Sequence, residues 1–368
     1  MKDLPTMTSR ILHITGARPN FPKAAPVMRA LDALQVTQSL VHTGQHYDDK
    51  LSDIFFRQLS LRKPDLSLGV GSGSHATQTA AVMVALETVF LEQQPSLVVV
   101  YGDVNSTLAA ALVASKLGIP LAHVEAGLRS FDRGMPEELN RIMTDAVSDL
   151  LFTTSADANV HLGREGVAEE KIHFVGNPMI DTLLQSRDRF DASELLAELK
   201  LAPGDPYLVA TLHRPANVDD PAELAQLVAA LIECSAEAPI VLPMHPRGAQ
   251  AFAATGILNE PRIHIVEPQG YLEFMGLVSG SLGVVTDSGG VQEETTMLGV
   301  PCFTLRPNTE RPVTITDGTN TLVTAENVAA TLRDRLTRNQ TENRTPPLWD
   351  GRAGERIARI LSEWLEKQ

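Results

Sequence analysis

The sequence predicts an α/β protein of two Rossmann-like domains, each built on a doubly wound parallel sheet. Three observations carry that prediction. Short apolar runs alternate with helix-like segments, the alternation restarts in the second half, and each apolar run gives way to a polar or glycine-rich cluster. The runs are continuously apolar rather than alternating, which is the pattern of parallel strands covered on both faces. With 368 residues the chain is also long for a single core, so two domains are expected.

Taken in order, residues 11–14, 39–42, 96–100 and 121–124 form the strands of the first half. Helical patterns lie between them at 23–34 and 107–117, the second stopped by Gly118, Ile119 and Pro120. The second set of strands covers 207–212, 239–242, 263–266, 282–285 and 302–305, with helices at 221–234 and 291–298. The turn at Gly176, Asn177 and Pro178 marks the change of domain, giving a first domain of 1–175 and a second of 176–351. Residues 337–351 are polar and contain Pro346 and Pro347, a loop pattern. An amphipathic helix at 352–366 then returns to the first domain, which 352–368 completes.

Composition excludes several function classes. A net charge of −14 argues against general nucleic-acid or anionic-membrane binding, yet leaves room for a local basic pocket for a phosphorylated small molecule. Hydrophobic content of 43% and charged content of 21% are those of a soluble globular protein. Residues 1–10 contain no apolar leader core, and no run approaches the ~18 apolar residues of a membrane span, so a cytoplasmic protein without membrane insertion is expected. Cys234 and Cys302 sit in apolar contexts and are expected to be buried free thiols. No His, Cys or carboxylate group has zinc spacing, so no metal is expected.

Ligands of open α/β sheets sit beyond the carboxyl ends of strands. Polar clusters follow the strands here in both halves, at Gly16 to Asn20, Thr43 to His46, Gly102 to Thr107, Glu125 to Arg129, His213 to Pro215, His245 to Arg247 and Thr286 to Gly290. The most informative is Thr286 to Glu294. A strand, the turn Ser288-Gly289-Gly290 and a new helix make a phosphate cradle, because glycines let the backbone approach an anion and the helix start favours negative charge. Glu294 in that helix is a candidate acceptor for a ribose or sugar hydroxyl.

Arg18 and Lys23 flank the first long helix at its N-terminus, where cations oppose the macrodipole, so an anion or substrate role stands beside a solvated helix start. Asp103 ends an apolar strand and is either a site carboxylate or the cap of the next helix. Glu125 follows a strand directly, where capping is less natural. Glu137 and Glu138 open a helix, and Glu137 and Arg141 share a face, so a surface ion pair stands beside a site role. His213 at a strand end and Arg311 in a loop are both candidates to meet phosphate. Gly69 to Ser74 imitates a dinucleotide fingerprint but ends in Ser, follows no strand and lacks the distal acidic residue; it is taken as a mobile loop, and no redox cofactor is expected.

Nine motifs occur in one order: Gly16-x-Arg18-Pro19, Thr43-Gly44-Gln45-His46, Gly102-Asp103, His123-Val124-Glu125-Ala126-Gly127-Leu128-Arg129, Pro136-Glu137-Glu138-x-Asn140-Arg141, His213-Arg214, Glu267-Pro268-Gln269-x-Tyr271, Thr286 to Glu294, and Glu310-Arg311-Pro312. Each alone is weak. Together, over nearly the whole chain, they resemble the non-hydrolysing bacterial UDP-N-acetylglucosamine 2-epimerases. The resemblance implies a glycosyltransferase-B type fold with an interdomain cleft, a UDP-sugar as partner, no cofactor and a homodimer. It implies reversible C2 epimerisation of UDP-GlcNAc to UDP-ManNAc through elimination of UDP to 2-acetamidoglucal and readdition.

Carried over motif by motif, Asp103, Glu125 and Glu137 are the implied acid/base groups, with His213 beside the diphosphate and sugar. Arg18, Ser288, Gly289 and Gly290 are implied to cradle the diphosphate, Glu294 to hold the ribose, and Gln269 and Phe274 to face uracil. Lys23, Arg141 and Arg311 match further cleft positions. Similar proteins act on UDP-2,3-diacetamido-2,3-dideoxy-glucuronic acid, release free ManNAc by hydrolysis, or transfer sugars on the same fold; Arg133 is a candidate partner for a substrate carboxylate. Asp48 stands where regulated members carry Gln, and the basic residue expected near Gly71 to His75 is absent, so activation by a second substrate molecule is expected to be weak or absent.

Overall fold

The computed structural model describes residues 10–44, 54, 56–244, 252–338 and 344–368. The chain divides into two compact units, Met1–Gln185 with Pro347–Gln368, and Ser186–Pro346. His46, Asp48 and the cluster at 245–247 lie outside the described residues.

The first unit holds a parallel sheet of seven strands among the described residues, in the order β3-β2-β1-β4-β5-β6-β7. They are β1 (Ile11–Thr15), β2 (Gln38–His42), β3 (Leu66–Ser67), β4 (Leu97–Tyr101), β5 (Leu121–Ala126), β6 (Leu150–Thr153) and β7 (Ile172–Phe174). The central strands β1, β4 and β5 are buried along their whole length, as their unbroken apolar runs require. Helices α1 (Phe21–Ala33), α2 (His75–Gln93), α3 (Asn105–Leu117), α4 (Pro136–Val147), α5 (Ala156–Arg164) and α6 (Pro178–Ser186) connect them. The strand order reverses between β1 and β4, so the loops after these two strands open the crevice where such sheets bind ligands.

The second unit repeats the plan with six parallel strands, in the order β10-β9-β8-β11-β12-β13. These are β8 (Leu208–Thr211), β9 (Ile240–Pro243), β10 (Ile263–Val266), β11 (Val284–Thr286), β12 (Cys302–Leu305) and β13 (Asn320–Val323). The longer helices are α7 (Pro221–Cys234), α8 (Tyr271–Ser279), α9 (Gly289–Leu298) and α10 (Val328–Arg338), and α11 (Ala353–Glu366) closes the chain in the first unit. Here the order reverses between β8 and β11. Cys234 and Cys302 are buried free thiols whose pKa values burial pushes up to about 12 and about 11. Among the described residues no helix is long and apolar enough to cross a membrane.

Several elements depart from the sequence expectation. The short edge strands β3, β7 and β13 carry too few apolar residues for the pattern to show. The buried run of β6 follows a helix so closely that periodicity cannot separate the two. Gly69 to Ser74 is not a loose loop: Val70 and Gly71 donate backbone hydrogen bonds to Thr43 and Gly44, β3 ends just before it, and Ser74 caps α2. The first unit extends beyond Gly176 through α6, whose Asp181 accepts hydrogen bonds from the Ala353 and Gly354 amides at 3.1 and 2.7 Å and so caps α11. The polar stretch before α11 ends in Trp349, which is buried and donates to the Thr154 carbonyl at 2.9 Å.

Candidate active site

On the first unit, the loop after β1 is shaped by Asn20. Its side-chain oxygen accepts from the Gly16 and Ala17 amides at 2.9 and 3.0 Å, and its amide group donates to the Tyr101 carbonyl at the end of β4. Both switch-point loops are thereby tied together. Arg18 lies half-exposed in this loop and makes no ion pair among the described residues. One turn on, Lys23 is buried and pairs with Glu125. Gly102 explains how that lysine fits: its φ is +64°, and a Cβ there would meet the Lys23 amine at 3.0 Å.

Glu125 occupies an unusual backbone. It sits at a register shift of β5 against β6, with φ +76°. A left-handed glutamate inside a strand is strained, and such strain persists where the surroundings hold it, which makes it a marker of functional sites. The bulge re-aims the side chain, which is 2% exposed.

Asp103 does not cap the following helix. The N-cap of α3 is Val104, without a side-chain bond, and the Asp103 carboxylate instead pairs with Arg141 while its carbonyl accepts from Asn140 at 2.8 Å. Among the described residues Glu137 makes no ion pair with Arg141, the surface pair that their spacing offered. Arg141 is buried and turns to Asp103 and Glu138 because Glu138, not Glu137, lies on the inner face of α4. Glu138 accepts from the Ser130 and Phe131 amides, both at 2.9 Å, and from Arg141 at 2.7 Å. Burial alone would raise its carboxyl pKa; the Ser130 amide and Arg141 hold it below the ordinary value. Glu137 is half-buried and has no side-chain hydrogen bond among the described residues. So α4 presents one glutamate that organises and one that is available.

On the second unit, Asp287 directly follows β11 and is fully buried. It accepts from the His213 and Arg214 amides at 3.0 and 2.9 Å, from Asn217 at 3.0 Å, and from His213 Nδ1 at 2.8 Å. Burial pushes its pKa up, but His213, Arg214 and Asn217 together hold it below the ordinary value. The His213 side chain is 62% exposed, and its Nε2 has no hydrogen-bond partner among the described residues. Asp287 thus fixes the tautomer and leaves Nε2 outward.

Ser288 is the N-cap of α9 but makes no capping bond, and Gly289 and Gly290 begin the helix with amides that have no intrahelical acceptor. A Cβ at Gly289 would lie 2.5 Å from the Arg311 guanidinium and 2.8 Å from Glu310. Arg311 is buried and paired with Glu293 at 2.9 Å and with Glu310. Glu294 is buried, and its pKa is pushed up to about 8, first by burial; the Tyr271 hydrogen bond opposes this and the Glu293 charge adds to it. Gln269 donates to the Glu267 carbonyl at 2.7 Å and lines a pocket of about 300 Å³ with Asp191, Glu194 and Glu273. Phe274 lies half-buried on α8. A pocket of about 440 Å³ between α1, α6 and α11 includes none of these residues.

The first unit therefore brings together Lys23, Asp103, Glu125 and Arg141, and the second brings together His213, Ser288, Gly289, Gly290 and Arg311 beside Glu294. Sequence reasoning passed over Asn20, Glu138 and Asp287 as site residues. Asp287 stood inside the cradle motif, whereas only the fold links Glu138 to the loop it holds.

Residues 29–362 match the sequence profile of the UDP-N-acetylglucosamine 2-epimerases. The UDP-N-acetylglucosamine 2-epimerase of Methanococcus maripaludis is 42% identical over 358 residues, covering 95% of this chain and 97% of its own. The UDP-2,3-diacetamido-2,3-dideoxy-D-glucuronate 2-epimerase of Pseudomonas aeruginosa is 43% identical over 359 residues, covering 96% and 99%. The crystal structure of Methanocaldococcus jannaschii UDP-GlcNAc 2-epimerase in complex with UDP-GlcNAc and UDP superposes with a TM-score of 0.89 at 41% identity, over 96% of this chain and 99% of that one. The architecture is that of the glycosyltransferase-B type, and this chain, an enzyme, belongs to the UDP-N-acetylglucosamine 2-epimerase family.

Proposed function

We propose that the protein interconverts UDP-GlcNAc and UDP-ManNAc at C2 of the sugar. The observation that carries this reading is Glu125, a buried carboxylate held at φ +76° in a bulge of β5, with Asp103 in the loop that follows the neighbouring strand β4. The C2 hydrogen of the sugar is not acidic. A carboxylate removes it as the anomeric C–O bond breaks, so the C2–H electrons form the C1–C2 double bond of 2-acetamidoglucal and the bonding pair of C1–O leaves with UDP. In the return step a UDP oxygen attacks C1, and a second acid delivers a proton to the opposite face of C2. Asp103, Glu125 and Glu137 are the acid/base groups of this scheme, with Lys23 and Arg141 holding the first two.

Stabilising the leaving diphosphate falls to His213, Arg18, the Ser288 hydroxyl and the Gly289 and Gly290 amides, where the helix start favours negative charge. Arg311, neutralised by two glutamates, shapes this turn rather than adding net charge. With its pKa near 8, Glu294 carries a proton at neutral pH and offers the ribose both a donor and an acceptor. Gln269 and Phe274 face the uracil. On this reading the protein is a cytoplasmic homodimer that supplies UDP-ManNAc for cell-surface polysaccharide.

Proton NMR of UDP-GlcNAc with the protein in deuterated water tests the proposal. UDP-ManNAc deuterated at C2 is the expected product; free ManNAc marks hydrolysis instead. The 43% identity to the diacetamido-glucuronate enzyme supports a second reading with that substrate, and exposed Arg133 is its candidate carboxylate partner. Turnover of that substrate alone would select it.

A further inference from the structure

Beneath the carboxylates of the first unit lies a second His–Asp pair that the reaction scheme does not use. His123 and Asp145 are 0% and 2% exposed. His123 Nδ1 lies 2.7 Å from one Asp145 oxygen, and Nε2 lies 2.8 Å from the Gly102 carbonyl. The other Asp145 oxygen accepts from the Gly127 amide at 3.1 Å and forms an ion pair with Arg129 at 2.7 Å, and Arg129 donates to Glu165. Gly102 directly precedes Asp103, while His123 and Gly127 bracket Glu125.

Both ring nitrogens face groups that accept. A carbonyl has no proton to give, so Nε2 must donate to Gly102. The other Asp145 oxygen already accepts from the Gly127 amide and faces the Arg129 guanidinium at 2.7 Å, the pairing of a carboxylate, so Asp145 too accepts. Nδ1 must then also carry a proton. A neutral ring donates from one nitrogen only and would set a lone pair against an acceptor. With an imidazolium the cluster balances, His123 and Arg129 against Asp145 and Glu165.

We propose that His123 is a positioning residue of the epimerase site, held as an imidazolium that ties the Gly102–Asp103 turn to the bulge of Glu125 and fixes the two carboxylates relative to each other. This rests on the reading that Asp103 and Glu125 act on the sugar. No contact of His123 with substrate is implied.

The isosteric variants separate the two arms. His123→Gln keeps a donor at the Nε2 position for Gly102, and His123→Asn keeps one at the Nδ1 position for Asp145 only. Hydrogen–deuterium exchange at C2 is expected to fall about 100-fold in kcat for His123→Asn, and about tenfold for His123→Gln, because a displacement on the order of 1 Å at a reacting group costs that much. UDP affinity and KM are expected to stay within twofold. Nitrogen-15 NMR of histidine-labelled wild-type protein, with the signal assigned by its loss in His123→Gln, is expected to show both ring nitrogens protonated. A neutral ring, or full exchange activity in a folded His123→Asn protein, overturns the proposal. Should His123→Asn fail to fold, the wild-type NMR measurement decides. Wild-type protein that exchanges C2 of neither UDP-GlcNAc nor UDP-2,3-diacetamido-glucuronic acid would sink the functional reading instead, and the ring-protonation result stands apart from it.

Discussion

His123–Asp145 and His213–Asp287 are the same pair of side chains put to opposite uses. In the first, both ring nitrogens are bound and the ring is sealed from solvent; in the second, Asp287 takes Nδ1 and the ring is 62% exposed. The two rims differ in the same sense. On the first unit, Lys23 is matched by Glu125, and Arg141 by Asp103 and Glu138. On the second, the Ser288 hydroxyl and the Gly289 and Gly290 amides have no partner among the described residues, although Arg311 behind them is neutralised. A rim whose charges already satisfy one another is built to hold reacting groups in fixed positions. One whose donors are left over is built to receive an anion. Substitutions of the paired groups on the first rim should therefore act on kcat, and those on the second on affinity.

The largest effect is expected from Glu125→Gln, which keeps the shape and removes one of the proposed acid/base carboxylates while leaving Lys23 buried without a counter-charge. Exchange of the C2 hydrogen is predicted to fall about a thousandfold, in line with the loss of a general base. UDP affinity, measured by calorimetry, should hardly change. An equal loss in kcat and in UDP affinity would erase the division between the rims.

Adjacent glutamates on α4 sharpen it next. Glu138→Gln removes the charge that pairs with Arg141 and one of the two oxygens that accept from Arg141 and the 130–131 amides, and breaking a buried pair from one side costs about 3 kcal/mol. Its thermal denaturation midpoint should drop by several degrees. Glu137→Gln should stay within about 0.5 kcal/mol of wild type, since no side-chain bond is lost, yet lose about 100-fold in turnover. Reversed outcomes would exchange the roles of the two residues.

That pair also shows where sequence reading stops. The strands that carry Asp103, Glu125, His213 and Asp287 are unbroken apolar runs, and each ends in a polar cluster, so the rims were legible from local pattern alone. Which of two neighbouring glutamates faces inward depends on how α4 lies against β5, and spacing to Arg141 gave the wrong partner because tertiary packing overrides the i,i+4 relation. His123 and Asp145 are 22 residues apart, and no periodicity joins them. The bulge that strains Glu125 is likewise a product of β5 meeting β6. Extended elements are written locally; side-chain networks that cross from strand to helix are not.

On the second rim, pH provides a graded test. Glu294 has a folded-state pKa of about 8 against an ordinary 4.5, chiefly through burial. A raised carboxyl pKa means that the folded protein holds a proton the unfolded chain releases. The stability this gives is fully present below the unfolded pKa and is lost as pH climbs through about 8, a span worth on the order of a few kcal/mol. Glu294→Gln removes the titration. The stability difference, variant minus wild type, should therefore grow from about pH 5 to about pH 9 in thermal melts. A difference that is flat with pH would mean the carboxyl is ionised throughout, leaving it only as an acceptor for the ribose.

The smallest stability change belongs to Ser288→Ala. A serine at an N-cap ordinarily contributes about 1 kcal/mol through its bond to an amide of the first turn. Ser288 makes no such bond. Its removal should shift stability by less than about 0.5 kcal/mol, a result that would be anomalous for an ordinary cap. The hydroxyl and amides are held open by Gly289, where any side chain would collide with Arg311, and by the Ser288 amide, which is itself satisfied by Thr286 at 3.0 Å. What the helix forgoes in capping, a bound diphosphate is expected to regain. The affinity for UDP should therefore fall about fivefold in Ser288→Ala, the equivalent of one hydrogen bond of about 1 kcal/mol, with kcat unchanged. A stability loss near 1 kcal/mol with unchanged UDP affinity would show the opposite, a serine that caps its own helix and leaves the anion to the glycine amides alone.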